Sequence, residues 1–262
     1  NGIGRTKDVA IPASFKGTLR SYQSEGFSWL VGNHANGFGS LLADDMGLGK
    51  TIQAVCMMCY LKERRFIDAP TFVVAPTSLL HNWRKELSRW APSLQVRDYL
   101  GSGCAWPKFA DVVLSSYGTV RLAVRTLGGW RRIGFVGAFI LDEAQRVKNH
   151  RSEISLACKA IAAACPGPKV ALSGTPVENR VEDIHSIFEV VLPGYLGTLS
   201  EFKRRYTSRK GAVDAAGLRK VIDPFMLRRL KTDPAIGSEL PPKVDMRHDV
   251  ALTAKQVRLY EA

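Results

Sequence analysis

Residues 44–51, Asp44-Asp45-Met46-Gly47-Leu48-Gly49-Lys50-Thr51, set two glycines, a lysine and a hydroxyl between an apolar run and a helical pattern. Glycines there let successive backbone N–H groups turn toward one point. The start of the following helix adds its unsatisfied amides and its dipole, so the segment suits a polyphosphate. In such a loop Lys50 reaches β- and γ-phosphates, and the Thr51 hydroxyl is an oxygen ligand for Mg2+. The general pattern has glycine six residues before the lysine, and Asp44 stands there instead. On pattern alone, an ordinary Gly-rich strand-to-helix turn with a chance lysine remains an alternative.

A second group, Asp142-Glu143-Ala144-Gln145, follows the apolar run 138–141. In a parallel sheet the carboxyl ends of the strands face the ligand crevice, so these acids would lie beside the glycine loop if the two strands neighbour each other. Asp142 would then hold Mg2+ through its water shell, and Glu143 would orient and polarise an attacking water. The plain structural alternative is a helix N-cap with an acid in its first turn.

Both groups need a scaffold that aligns strand ends. Uninterrupted apolar runs at 41–43, 72–75, 112–114, 138–141 and 170–172 suit strands buried on both faces. Helical patterns over 19–32, 50–63, 78–90, 151–164 and 181–190 alternate with them, which predicts an α/β fold with a parallel sheet flanked by helices. Past Pro193-Gly194 the chain turns basic and helix-prone, broken by Gly211, Gly217 and Pro224. Residues 1–195 are therefore expected to form the sheet domain, and 196–262 a small, mostly helical basic appendage.

The 262 residues allow one large core, and 37 Lys and Arg against 24 Asp and Glu favour a polyanionic partner without naming it. Residues 200–232 hold ten basic residues against three acidic ones, either a solvated helical face or a surface that tracks phosphates. Five cysteines, Cys56, Cys59, Cys104, Cys158 and Cys165, are scattered in a chain too large to need disulfides, which predicts a reducing, intracellular setting. The pair at Cys56 and Cys59 lacks a second half for a zinc site and reads as buried thiols. No apolar run approaches membrane length and no signal pattern opens the chain, so no membrane partner is expected. The chain starts at Asn1 and stops inside the helix-like run 252–261, which suggests a piece of something longer.

Several segments in order, from about residue 18 to 262, resemble helicase superfamily two, specifically its SWI/SNF-type DNA-translocating ATPases. Leu19-Arg20-Ser21-Tyr22-Gln23 with Gly26 and Trp29-Leu30 is similar to the family's adenine-recognition element, which implies Gln23 on the base. Residues 42–51 resemble motif I, where a residue other than glycine at position 44 is usual; Asp45, Met46, Gly47, Leu48, Gly49, Lys50 and Thr51 then form the nucleotide cradle. Residues 74–83 resemble motif Ia and 114–119 motif Ib, which implies Thr77, Ser78, Asn82, Ser116 and Tyr117 as contacts to the backbone of one DNA strand. Taken alone, the same loops are adequately read as strand-end turns with helix caps at Thr77 and Thr119. Leu172-Ser173-Gly174-Thr175-Pro176 with Glu178-Asn179 resembles motif III, which couples nucleotide state to lobe movement; its hydroxyls could bond Asp142 or Glu143. Residues 224–229 with Pro241-Pro242-Lys243 resemble the stretch connecting the two lobes, and separate this branch from RNA helicases.

The resemblance implies a RecA-like first lobe with a catalytic set of Lys50, Thr51, Asp142 and Glu143. Its cofactors would be ATP and Mg2+, and its partners the backbone of double-stranded DNA and a second RecA-like lobe that carries the arginine finger. Gln145 stands where eukaryotic members usually carry His; its amide can still bond across the cleft, and together with Asp44-Asp45 it suggests a bacterial branch. The chain alone is expected to bind ATP weakly and to turn over negligibly. An RNA-directed superfamily-two helicase and a non-enzymatic nucleic-acid scaffold remain the rival readings.

Overall fold

The computed structural model describes residues 8–101, 105–126, 133, 135–175, 181–207, 213–240 and 256. Cys104, Pro176, Glu178, Asn179, Arg209, Lys210, Gly211, Pro241, Pro242, Lys243 and all but Gln256 of the run 252–261 lie outside them. The strands are β1 (Ser40–Leu42), β2 (Thr71–Ala75), β3 (Val96–Asp98), β4 (Val112–Ser116), β5 (Ala138–Asp142), β6 (Lys169–Leu172) and β7 (Met226–Leu227). They form one sheet in the order β3-β4-β2-β5-β6-β1-β7. Every pairing within it is parallel, so all carboxyl ends open on the same edge.

The apolar runs are continuous in sequence because the sheet is buried on both faces, yet their side chains still divide with period two. Leu41, Phe72, Val74, Val113, Phe139, Leu141 and Ala171 point into one core. It is closed by α4 (Tyr117–Thr126), α5 (Glu153–Ala164), α6 (Val181–Val191), α7 (Leu199–Tyr206) and α8 (Ala215–Ile222). Leu42, Val73, Ala75, Val112, Leu114, Ile140, Val170 and Leu172 point the other way. They meet α1 (Ser21–Ala35), α2 (Lys50–Glu63) and α3 (Thr77–Trp90). At the centre, Phe72 and Phe139 stack with ring centroids 5.8 Å apart, both fully buried.

Local chemistry sets where helices begin. The Ser152 hydroxyl accepts from the Ser155 amide at 3.2 Å and opens α5. Thr198 and Glu201 form a reciprocal capping box at the start of α7. Asp214 accepts from the Gly217 amide at 2.9 Å and starts α8.

The segment expected as an appendage is helical, but its packing differs from that expectation. Phe202, Tyr206, Leu218, Ile222 and Phe225 join the first core, and β7 adds the seventh strand beside β1. Beyond β7, the short helix α9 (Pro234–Gly237) packs Ile236 against Tyr22 and Leu48. The charge of this segment lies on helix faces whose opposite sides are apolar, so a reading by net charge alone hides the core residues.

Candidate functional site

After β1 the chain crosses the sheet through α2 on one face, and after β6 it continues into α6 on the other. Connections that leave neighbouring strands on opposite faces open a crevice at their carboxyl ends. The glycine loop 44–49 lies at that crevice. The acidic turn after β5 is one strand further along: β1 and β5 do not neighbour, as the juxtaposition read from sequence had required, because β6 lies between them. The exit of β6, Ser173 to Thr175, fills the interval.

Gly47 and Gly49 take φ of +83° and +80°, backbone that L side chains rarely adopt. A Cβ on Gly49 would stand 2.4 Å from Gln23 Nε2, so the helix α1 packs directly on the loop. Lys50 opens α2, and its Nζ donates back to the carbonyls of Asp44 at 2.6 Å and Asp45 at 3.2 Å. Thr51 is half-buried in the same turn, Leu48 is fully buried and Met46 is 68% exposed. Gln23 bridges two elements: its Oε1 accepts from the Arg20 amide at 3.0 Å, and its Nε2 donates to the Leu48 carbonyl at 3.2 Å.

The acidic turn is held from three sides. Asp142, 7% exposed, pairs in register with Leu172 of β6. Its Oδ2 accepts from Trp83 Nε1 at 2.8 Å and its Oδ1 from the Glu143 amide at 2.9 Å. Tyr117 donates its hydroxyl to the Asp142 carbonyl at 2.7 Å. Burial raises the Asp142 pKa above the usual carboxylate value, opposed by the Trp83 bond and reinforced by the charge of Glu143. Glu143 sits at φ +52°, a left-handed conformation that costs a non-glycine residue on the order of 1–3 kcal/mol. Gln145 Nε2 donates to Glu143 Oε2 at 2.5 Å, and Gln145 Oε1 accepts from the Ser173 hydroxyl at 2.9 Å. The Ser173 hydroxyl therefore meets Glu143 through the Gln145 amide. A Cβ on Gly174 would lie 2.9 Å from Met46 Cγ and 3.8 Å from Lys50 Nζ, which closes the ring of strand exits around the lysine.

Electrostatics joins the two groups. Burial lowers the Lys50 pKa, and the carboxylates of Asp44, Glu143, Asp142 and Asp45 oppose that shift. One cation thus feels acids about ninety residues away in the chain.

Thr77, Ser78 and Asn82 lie exposed on the first turns of α3, at the same sheet edge. Pro76 is the N-cap residue of α3 and no side chain caps it, so Thr77 does not serve as the cap read from sequence. Ser116 and Tyr117 are buried. Ser116 Oγ accepts from the Thr119 amide at 3.1 Å, so it fills the capping role that the sequence assigned to Thr119. Tyr117 lies in the core beneath Asp142. Neither of these two presents a free surface to a nucleic acid.

Two further residues stand at the site. Trp83 closes the segment 74–83, and its indole bonds Asp142; a tryptophan on the buried side of α3 is otherwise an ordinary core residue. Arg229 reaches the loop from beyond β7, at a sequence distance that no local pattern discloses. The thiols of Cys56, Cys59 and Cys158 are buried among apolar groups, which pushes Cys59 up to about 11 and Cys158 up to about 12. No three His, Cys, Asp or Glu side chains gather into a metal cluster among the described residues. No helix among the described residues is long and apolar enough to cross a membrane.

The residues fit a nucleoside triphosphate with Mg2+. Gly47 and Gly49 supply the positive-φ backbone that an anion cradle uses, and Lys50 opens the helix that follows. The Thr51 hydroxyl and the Asp142 carboxylate are hard oxygen donors of the kind that Mg2+ takes, one or two at a time, when water and phosphate complete its shell.

A family model, the SNF2-related domain, matches residues 22–262. The Bacillus subtilis protein YwqA, whose name describes an ATP-dependent helicase/translocase, is 39% identical over 264 residues, covering 96% of this chain and 28% of YwqA. The human SWI/SNF-related matrix-associated actin-dependent regulator of chromatin subfamily A member 1 is 33% identical over 258 residues, covering 93% and 24%. Among solved structures, the Sulfolobus solfataricus SWI2/SNF2 ATPase core in complex with dsDNA superposes with a TM-score of 0.79 at 36% identity, covering 97% of this chain and 53% of that one. The same core domain without DNA gives 0.78 at 35% identity, covering 98% and 54%. The chain spans about a quarter of the length of these curated relatives and about half of the solved chains.

Proposed function

From the premise that this chain belongs to the SNF2-related family, we propose that it is the ATP-binding lobe of a motor that moves along double-stranded DNA. The observation that carries the proposal is the exit of β6 between the two groups: Gly174 lies beside Lys50 Nζ, and Ser173 reaches Glu143 through Gln145.

When bound, ATP with Mg2+ supplies the phosphoanhydride to be broken and a cation that neutralises its oxygens. The amides of residues 47–51 and the start of α2 cradle the anion. Lys50 turns its ammonium from the Asp44 and Asp45 carbonyls toward the outer phosphates. Thr51 and Asp142 would offer the protein oxygens for the cation, with Trp83 fixing the Asp142 carboxylate. Glu143, half-buried at the end of β5, would orient water and accept its proton. Gln145 holds Glu143 and hands its position to Ser173, so that the chain from Ser173 to Thr175 senses the acidic turn. Gln23 faces the base from α1. Thr77, Ser78 and Asn82 contact the backbone of one DNA strand without reading its sequence. Hydrolysis in this scheme also needs a second lobe to supply positive charge to the departing phosphoryl group.

The test is ATPase activity of the full-length protein with duplex DNA, single-stranded DNA and RNA compared in parallel. Strong stimulation by duplex DNA is expected. Stimulation by RNA alone would instead support an RNA-directed helicase, and no ATP binding at millimolar concentration would support a scaffold.

A further inference from the structure

The chain beyond β7 grips the nucleotide loop more tightly than an edge strand requires. Arg229, 8% exposed, donates from Nε to Asp44 Oδ1 at 2.9 Å, from Nη2 to Asp44 Oδ2 and from Nη1 to the Tyr22 carbonyl. Nη2 also donates to Gln53 Oε1 at 3.0 Å, and the Arg229 amide donates to Asp44 Oδ1 at 3.1 Å. One guanidinium thus joins the loop, α1 and α2, which carry Asp44, Gln23 and Lys50. Asp44 is fully buried at the position where the general pattern has glycine, and its carboxylate is spent on this contact. Gly26 leaves room for it: a Cβ there would stand 1.9 Å from Gln53 Oε1 and 2.7 Å from Arg229 Nη2.

The grip continues past Arg229. Its carbonyl accepts from the Asp45 amide at 3.0 Å, and the Lys231 amide donates to Asp45 Oδ2 at 2.9 Å. Ile236 packs on Leu48 and Tyr22, and Glu239 accepts from the Ser21 amide at 3.2 Å. Asp44 and Asp45, held from outside by residues 229–231, are the same two residues whose carbonyls hold Lys50 from inside. A phosphate that draws Lys50 away therefore changes the bonding of the very residues the later segment clasps.

We propose that residues 229–239 form a clasp on the nucleotide cradle, with Arg229 as its positioning residue, and that filling the cradle with a nucleoside triphosphate is transmitted through it to the chain beyond β7. The proposal rests on the nucleotide reading above. Local coupling of this kind needs differential contacts in the filled and empty states, which the shared carbonyls of Asp44 and Asp45 provide.

The experiment is amide hydrogen exchange on the full-length protein with and without saturating Mg·ATP, beside an ATP titration of the same sample. Wild-type protein is expected to change protection across 229–239 when ATP is added. Arg229→Lys keeps the charge but loses the fork that reaches three partners. Its expected phenotype is an ATP Kd raised about tenfold, in the range of coupled sites, with the ATP-dependent change at 229–239 lost and apo protection of β2 and β5 retained. Saturable ATP binding by wild-type protein with no change at 229–239 overturns the clasp alone, whether or not the variant folds. Wild-type affinity and full protection change in a folded Arg229→Lys overturn it as well. A flat titration of the wild-type protein overturns the nucleotide reading itself.

Discussion

Lys50 is held in a partly desolvated loop where its charge is disfavoured, below the usual lysine value of 10.5. Phosphates in the cradle would favour the charge again, so ATP binding is expected to take up a proton in the window that opens below pH 10.5. The sign follows directly: affinity should fall as pH rises through the free lysine's lowered pKa. Lys50→Arg, which stays charged, should bind with a flatter pH profile. Calorimetric titrations between pH 7 and 10, values chosen on the order of the lysine range, check this; equal slopes for both proteins would contradict it. At this scale the candidate site was legible. Gly47, Gly49, Lys50, Thr51, Asp142 and Glu143 stand out by residue type and local order. The bonds that tune them were not legible, because Trp83 to Asp142 spans 59 residues and Arg229 to Asp44 spans 185.

Among the elements, β6 has a part that its sequence hardly announces. It separates β1 from β5, and its exit carries the Ser173 hydroxyl that Gln145 relays to Glu143. Ser173→Ala and Gln145→Ala should each impair DNA-stimulated turnover while leaving ATP affinity close to wild type. Their effects should not add, with a coupling of about 0.5–3 kcal/mol in a double-mutant cycle on kcat. Full additivity would break the relay. Central strands were readable from their apolar runs and the helix over 181–190 from its amphipathic period, whereas the helix over 50–63, buried nearly all round, was readable from its long apolar stretch after the glycine loop. By contrast, β3 is three residues, Val96 to Asp98, half-buried or exposed, and β7 is two. Elements so short have no period to detect, and their pairing with β4 and β1 defines them.

For the molecule as a whole, the buried pair of Asp44 and Arg229 ties the chain after the last strand to the loop after the first. Arg229→Met should cost about 3–5 kcal/mol by leaving the Asp44 carboxylate buried and unpaired. Asp44→Leu combined with Arg229→Met should recover much of that stability, since paired removal of a buried salt bridge is often close to neutral. Denaturant titrations of the two variants check the contrast, and equal losses would argue against an isolated buried charge. The expected basic appendage turned out to share the sheet's core because its amphipathic helices bury Phe202, Tyr206, Leu218 and Ile222, which sequence charge had masked.

The central claim is that Lys50 and the acids at 142 and 143 act on one Mg·ATP. Its most direct measurement pairs ATP binding with single-turnover hydrolysis in full-length Glu143→Gln and Lys50→Ala proteins. The account predicts that Glu143→Gln binds ATP like wild type but hydrolyses it at least about 100-fold more slowly, as loss of a general base does. Lys50→Ala should lose binding itself. Wild-type hydrolysis by Glu143→Gln, or unchanged ATP affinity in Lys50→Ala, would contradict it.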